Sequence, residues 1–168
     1  MLDTTIRPIE ASEVAQLADF LYLAIHQPDP DNLIPRSVLI VPEVAAYIEA
    51  WGKPDDVCLV AVKGQRLIGA VWTRIIVEAV RGYGHIDALT PEFSVSVLPV
   101  CRGRRIGGLL MRQMLELLRE RGCSRASLSV QKSNPALRLY ERLGFKAVAD
   151  HDEEIVMVYD FLANELQE

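Results

Sequence analysis

The feature that most constrains this chain is the stretch Val97-Leu98-Pro99-Val100-Cys101-Arg102-Gly103-Arg104-Arg105-Ile106-Gly107-Gly108. Before it, Phe93 to Leu98 alternates as a strand does. After it, Leu109 to Gly122 carries Leu110, Met114, Leu117 and Leu118 at helical spacing. Gly122 is the residue type that closes such a helix. The spacing therefore predicts a strand, a glycine- and arginine-rich turn and a helix in direct succession.

A turn of that kind has a chemical use. The first backbone N–H groups of a helix lack intrahelical partners, and the helix dipole places partial positive charge there. Glycine lets main chain approach a ligand closely. Residues Arg102, Gly103, Arg104, Arg105, Ile106, Gly107 and Gly108 thus read as a cradle for phosphate or pyrophosphate, with Arg112 one turn on. A connecting loop with solvated arginines has the same composition. The absence of Lys-Ser/Thr after Gly107-Gly108 argues against a triphosphate P-loop.

Composition sets the outer bounds. With 168 residues, half of them apolar, the chain is expected to form a single domain over 1–168 with a sizeable core. A net charge of −5 argues against nucleic acid as partner. No apolar run is long enough to span a bilayer, and Met1 to Arg7 lacks the pattern of a signal peptide. Cys58, Cys101 and Cys123 are odd in number and far apart, which suits no metal site. The expectation is a reduced, cytoplasmic protein with no metal and no membrane partner.

Along the chain, Thr4 to Ile9 reads as a strand. Ser12 is the expected cap of a helix with the stripe Val14, Leu17, Ala18, Leu21 and Ala24. Gln27 to Pro35 is a loop, and Pro42 opens a second helix that Gly52 stops. Val57 to Val62 and Arg66 to Val77 form a hairpin across Lys63-Gly64-Gln65. Phe93 to Leu98 and Ala126 to Val130 flank the central helix as a parallel crossover. Asn134 caps a short helix with Pro135 in its first turn and Gly144 after its last. Phe145 to Val148 and Ile155 to Phe161 close as a hairpin. The order predicts an α+β fold on a mixed sheet.

Two pieces resemble one family. Arg102-Gly103-Arg104-Arg105-Ile106-Gly107 is similar to the (Gln/Arg)-x-x-Gly-x-(Gly/Ala) signature of the GNAT superfamily of acyl-CoA-dependent N-acetyltransferases. The segment with Asn134, Pro135-Ala136, Tyr140, Gly144 and Phe145 resembles that family's second pattern. The resemblance spans roughly Val57 to Phe161. It implies a mostly antiparallel sheet with a splayed parallel strand pair, acetyl-CoA as acyl donor, and a small-molecule or peptide amine as acceptor. Relatives of this kind are often homodimers. The first glycine of the signature is Arg105 here. The expectation is helical backbone at that position or a wider cradle, with the Arg105 N–H facing the pyrophosphate and its guanidinium at the rim.

The resemblance also implies roles. Main-chain groups of Val97 and Leu98 would pair with the pantetheine amides and stabilise the developing oxyanion. Asn134 would contact the pantetheine arm as well as capping its helix. Tyr140 would be the general acid, although by position alone it reads as a core aromatic. The amine needs a base, since its pKa is about 10.4. Glu92 is the first candidate and His85 and Asp87 are reserves; a water chain is the fourth route. Relatives place their glutamate at the position of Phe93, so Glu92 stands one residue out of phase unless a bulge intervenes. Cys101 reads as a small apolar residue. Asp29, Asp31, Asp55 and Asp56 read either as steering acids or as solubilising loop residues. A catalytically silent acyl-CoA-binding module is the competing function.

Overall fold

The computed structural model describes residues 3–77 and 80–167. Seven strands form one sheet in the order β1-β2-β3-β4-β5-β7-β6. These are β1 (Thr4–Pro8), β2 (Val57–Lys63), β3 (Arg66–Arg74), β4 (Glu92–Val97), β5 (Arg125–Gln131), β6 (Lys146–His151) and β7 (Glu154–Asp160). All neighbours are antiparallel except β4 and β5. That parallel pair registers at one point, Glu92 opposite Ser127. Beyond it the strands diverge, so the mixed sheet with a splayed pair that the sequence implied is present.

Both faces of the sheet are covered, and the strand alternation assigns each residue to a layer. Val57, Leu59 and Ala61 of β2 join Phe93 and Val97 against α3 (Ile106–Glu120), whose Ile106, Leu110, Met111, Met114 and Leu118 are buried. Cys58, Val60 and Val62 face the other way, with Ala70 and Trp72, against α1 (Leu17–Ala24) and α2 (Pro42–Ala45). Two further helices, α4 (Ala136–Leu143) and α5 (Phe161–Glu165), complete the chain.

Several boundaries differ from the sequence reading. Ser12 is not a cap: a 3-10 turn, Ala11–Gln16, precedes α1, and the Glu10 N–H donates to Glu13 Oε2 at 2.9 Å. The helix opened by Pro42 is a single turn, and the chain then passes through left-handed Ala50 and Gly52. α3 starts at Ile106 rather than Leu109, because the reversal is completed within residues 102–105. β3 stops at Arg74 rather than Val77, since Arg74 pairs with Glu92 at the first residue of β4.

Arg74 also ties the α2 side to the sheet. Its guanidinium donates to both oxygens of Asp56, at 3.0 and 2.6 Å, and to the carbonyls of Ala46 and Glu49. The Trp51 ring lies under it, 5.3 Å from guanidinium carbon to ring centroid. Burial pushes the Asp56 carboxyl up, but hydrogen bonds from Arg74, Gly52 and Lys53 outweigh it and hold it below the ordinary value. Asp56 is therefore a buried ion-pair partner and not a steering or solubilising acid. A buried charge left alone is costly, so Asp56→Asn is expected to lower the unfolding free energy by about 3 kcal/mol. Asp19→Asn breaks the exposed pair with Arg36 and is expected to change it by less than about 1 kcal/mol. Urea melts of the two variants check the contrast.

Candidate functional site

Parity along β4 decides which backbone groups face the gap. The Leu98 N–H donates to the Ile68 carbonyl at 2.8 Å, so that side of the strand belongs to β3. Hydrogen bonding alternates along an antiparallel strand. Phe93, Val95 and Val97 therefore turn their main-chain groups toward β5. The Ser127 N–H meets the Pro91 carbonyl at 2.9 Å, and past that point β5 offers β4 nothing. Unpaired strand groups beside a cavity are sites for an extended ligand. Leu98, expected to bind through its main chain, has its N–H already engaged; Val95, which the sequence reading missed, takes that place. The Val97 carbonyl accepts from Arg102 Nε at 3.2 Å, which leaves its N–H toward the gap.

A cavity of about 1010 Å³ opens along this gap. Val95 and Val97 form one wall, and Gly103, Arg105, Ile106, Gly107 and Gly108 form its far end at the start of α3. Arg102, Arg105, Arg112 and Arg142 bring four guanidinium groups to it. Arg104 and Leu98 do not line it. Arg105 has φ +64°, in the left-handed region, and stands directly before the helix. The backbone thus keeps the glycine-like turn of the signature despite the side chain, and the expected helical backbone at this position is not used.

Tyr140 and Asn134 stand where this cavity meets a second one of about 350 Å³. The Asn134 side chain accepts the Ala136 N–H at 2.9 Å, which caps α4. Tyr140 is buried on α4 against Phe145, and its phenol has no hydrogen bond among the described residues. Burial pushes that phenol up to about 12, so it stays protonated at neutral pH.

Glu92 lies on the opposite face from Phe93, and no bulge interrupts the β3–β4 register. It faces the α1–α2 layer instead. The residue is 2% exposed; Oε1 accepts from the Tyr47 hydroxyl at 3.0 Å and from the Gly84 N–H at 2.9 Å, while Oε2 has no partner among the described residues. Burial pushes its carboxyl up to about 7, against the opposing pull of Tyr47 and Gly84. The segment 82–84 lies directly on this group: a Cβ on Gly82 would fall 2.4 Å from Glu92 Oε1, and one on Gly84 2.9 Å from the Leu128 carbonyl carbon. Only glycine permits that approach at both places.

Tyr47 completes the arrangement. Its hydroxyl donates to Glu92 and accepts the Tyr83 N–H at 2.8 Å, and both tyrosines line the second cavity. Nothing in the sequence marked Tyr47, which sits among apolar residues after Pro42. The reserves fare differently. Hydrogen bonds from the Leu89 N–H and the Thr90 hydroxyl hold the Asp87 carboxyl below its ordinary value, and Arg125 pairs with it. His85 lines neither cavity, and its Nδ1 is buried without a partner among the described residues. Cys101 is a buried wall residue of the first cavity. No group of metal-ligating side chains occurs among the described residues. Nor is any described helix long and apolar enough to cross a membrane.

Comparison with known proteins places this geometry in a class. Residues 21–145 match the acetyltransferase (GNAT) family, and the chain belongs to that family. Among individual proteins, it is similar to the mycothiol acetyltransferase of Thermomonospora curvata, 38% identical over 106 residues, covering 62% of this chain and 32% of that one. It is also similar to the mycothiol acetyltransferase of Rhodococcus jostii, 35% identical over 101 residues, covering 58% and 32%. The chain thus spans about a third of the length of these relatives. In fold it is similar to the PaiA N-acetyltransferase of Thermoplasma acidophilum in complex with coenzyme A, with TM-score 0.68 and 15% identity over 95% of this chain and all of that one.

The left-handed Arg105 gives a test of the turn. A side chain in that region costs roughly 1 kcal/mol, which only glycine relieves. Arg105→Gly is expected to raise the unfolding free energy by up to about 1 kcal/mol and Arg105→Ala to leave it unchanged, measured by urea denaturation. A loss of stability in the glycine variant contradicts the assignment.

Proposed function

We propose that this chain transfers an acetyl group from acetyl-CoA directly to a primary amine. The observation that carries the reading is the first cavity. It joins four guanidinium groups and the N-terminus of α3 to unpaired strand groups of Val95 and Val97, and ends at Tyr140. Main-chain N–H groups at 103–108 suit a diphosphate, the strand edge suits the amides of pantetheine, and the phenol stands where the sulfur would arrive.

Acetyl-CoA supplies an activated acyl carbon and a thiolate leaving group. The chain's residues do the rest. The N–H of Val95 or Val97 donates to the carbonyl oxygen as charge develops on it. Glu92 accepts the proton the amine must lose, with the Tyr47 hydroxyl between carboxylate and cavity: the hydroxyl proton passes to Glu92 as the oxygen receives one from the ammonium. Tyr47 is itself held well above an ordinary phenol, by burial and then by Glu92, so it relays a proton without dwelling as phenolate. One N–C bond forms, one C–S bond breaks, and the sulfur leaves with the electron pair. At about 12 the Tyr140 phenol is a weaker acid than a thiol of about 8.5. Its role here is therefore to stabilise the departing sulfur by hydrogen bonding.

One observation favours the silent-module alternative: the Glu92 carboxylate lines neither cavity itself. Turnover separates the two. Glu92 works only when ionised, so kcat/KM is expected to fall as pH drops through about 7. Glu92→Gln is expected to remove that inflection and to cost about 100-fold or more. Tyr47→Phe shares the loss where the phenol carries the proton and spares activity where water does. Tyr140→Phe is expected to keep acetyl-CoA affinity and to lower kcat by about 10-fold or more, followed by release of free coenzyme A. Binding of acetyl-CoA with no turnover on any amine selects the silent module.

A further inference from the structure

The two cavities carry opposite chemistry. Four guanidinium groups line the first, whereas no lysine or arginine lines the second among the described residues. The second is bounded by α1 and the 34–47 segment on one side and by the splayed strands on the other. Its walls include Leu21, Ile34, Val38, Phe93 and Leu128. Its one carboxylate is Glu154, at the start of β7. The Tyr83 phenol is pushed up by burial and then by Glu43 and Glu154, so both acids lie near this mouth. Lys132, close in sequence to the lining residue Gln131, turns to Asp150 at 2.5 Å.

We infer that the acceptor is an apolar primary amine that carries no carboxylate beside its amino group: an aralkyl- or branched alkylamine, entering as the ammonium. This rests on the acetyl-transfer reading above. A field from Glu154, Glu43 and the more deeply set Glu92 attracts a cation, and the Tyr47 hydroxyl, bonded to Glu92, lies on the lining that an ammonium would meet. The apolar walls take the body of the molecule. An amino acid would bring a carboxylate into a chamber without lysine or arginine and with Glu154 already in place; its one basic side chain is His26, at the border with the first cavity. Of the uncharged polar lining, Ser94, Ser129 and Gln131 lie on the strand side, so a polyhydroxylated amine would lay its remaining hydroxyls against Leu21, Ile34 and Val38. Glu154 is the specificity-determining residue.

The test uses matched pairs that differ by one carboxylate: 2-phenylethylamine against phenylalanine and 3-methylbutylamine against leucine, with glucosamine as the polar amine. Coenzyme A release and product mass are read at saturating acetyl-CoA. The expected result is a kcat/KM about 30-fold or more higher for each amine than for its amino acid. Glu154→Lys is expected to shrink that ratio through a raised amine KM, with the KM for acetyl-CoA unchanged. Glu154→Gln, checked by its melting curve, moves the ratio in the same direction should the lysine variant not fold. Equal or better acetylation of an amino acid or of glucosamine overturns the inference and leaves the acetyl-transfer reading standing. Acetyl-CoA binding with no turnover of either amine also overturns it. Failure to bind acetyl-CoA at all overturns both.

Discussion

The site depends on one point of contact, the register of Glu92 opposite Ser127. It is where β4 and β5 touch as parallel neighbours and where they begin to part. Were the pairing continued, Val95 and Val97 would spend their main-chain groups on β5 and the cavity would close. Instead β4 is held on its other edge by β3 along its whole length, and β5 is held by β7. Each strand has one secure partner and one open edge. A gap lined by backbone donors and acceptors can then persist inside a well-packed sheet, because neither strand relies on it for order.

The same contact buries a carboxylate. Glu92 sits at the foot of the gap, covered by the 82–84 segment and reached by Tyr47. Its folded value of about 7 lies above the ordinary carboxylate range. The folded state therefore holds the proton more tightly than the unfolded chain, and stability declines as pH rises from about 4.5 through about 7. A purely structural role would favour a neutral side chain here. The protein instead tolerates a group that weakens it at the pH where that group becomes a base. Glu92 thus carries a polar cost at a buried position, and its link to the second cavity runs through the Tyr47 hydroxyl.

Much of this was legible in the sequence, for reasons that differ from residue to residue. The turn at 102–108 and the cap at Asn134 are local: glycine, arginine, asparagine and proline at fixed offsets specify them whatever lies around. The two hairpins and the parallel crossover followed from the lengths of their connections. Parity across strands was not legible. Whether Val95 or Leu98 faces the gap depends on how β4 registers against β3, a pairing between residues about twenty to thirty positions apart. That register also decides that Glu92 faces α1 and α2 and not α3. Tyr47 was invisible for a related reason, since only the tertiary packing of residues 45 positions apart gives its hydroxyl a carboxylate. Arg105 shows the opposite failure. A residue type unsuited to the left-handed region adopts it because the surrounding turn over-determines the backbone.

A crystal structure of the acetyl-CoA complex decides where the elongated donor lies. The diphosphate is expected against the main-chain N–H groups of residues 103 to 108, the pantetheine amides paired with Val95 and Val97, and the thioester sulfur within hydrogen-bonding reach of the Tyr140 phenol. Density for the ligand outside the gap between β4 and β5, or a diphosphate held away from the start of α3, would contradict it.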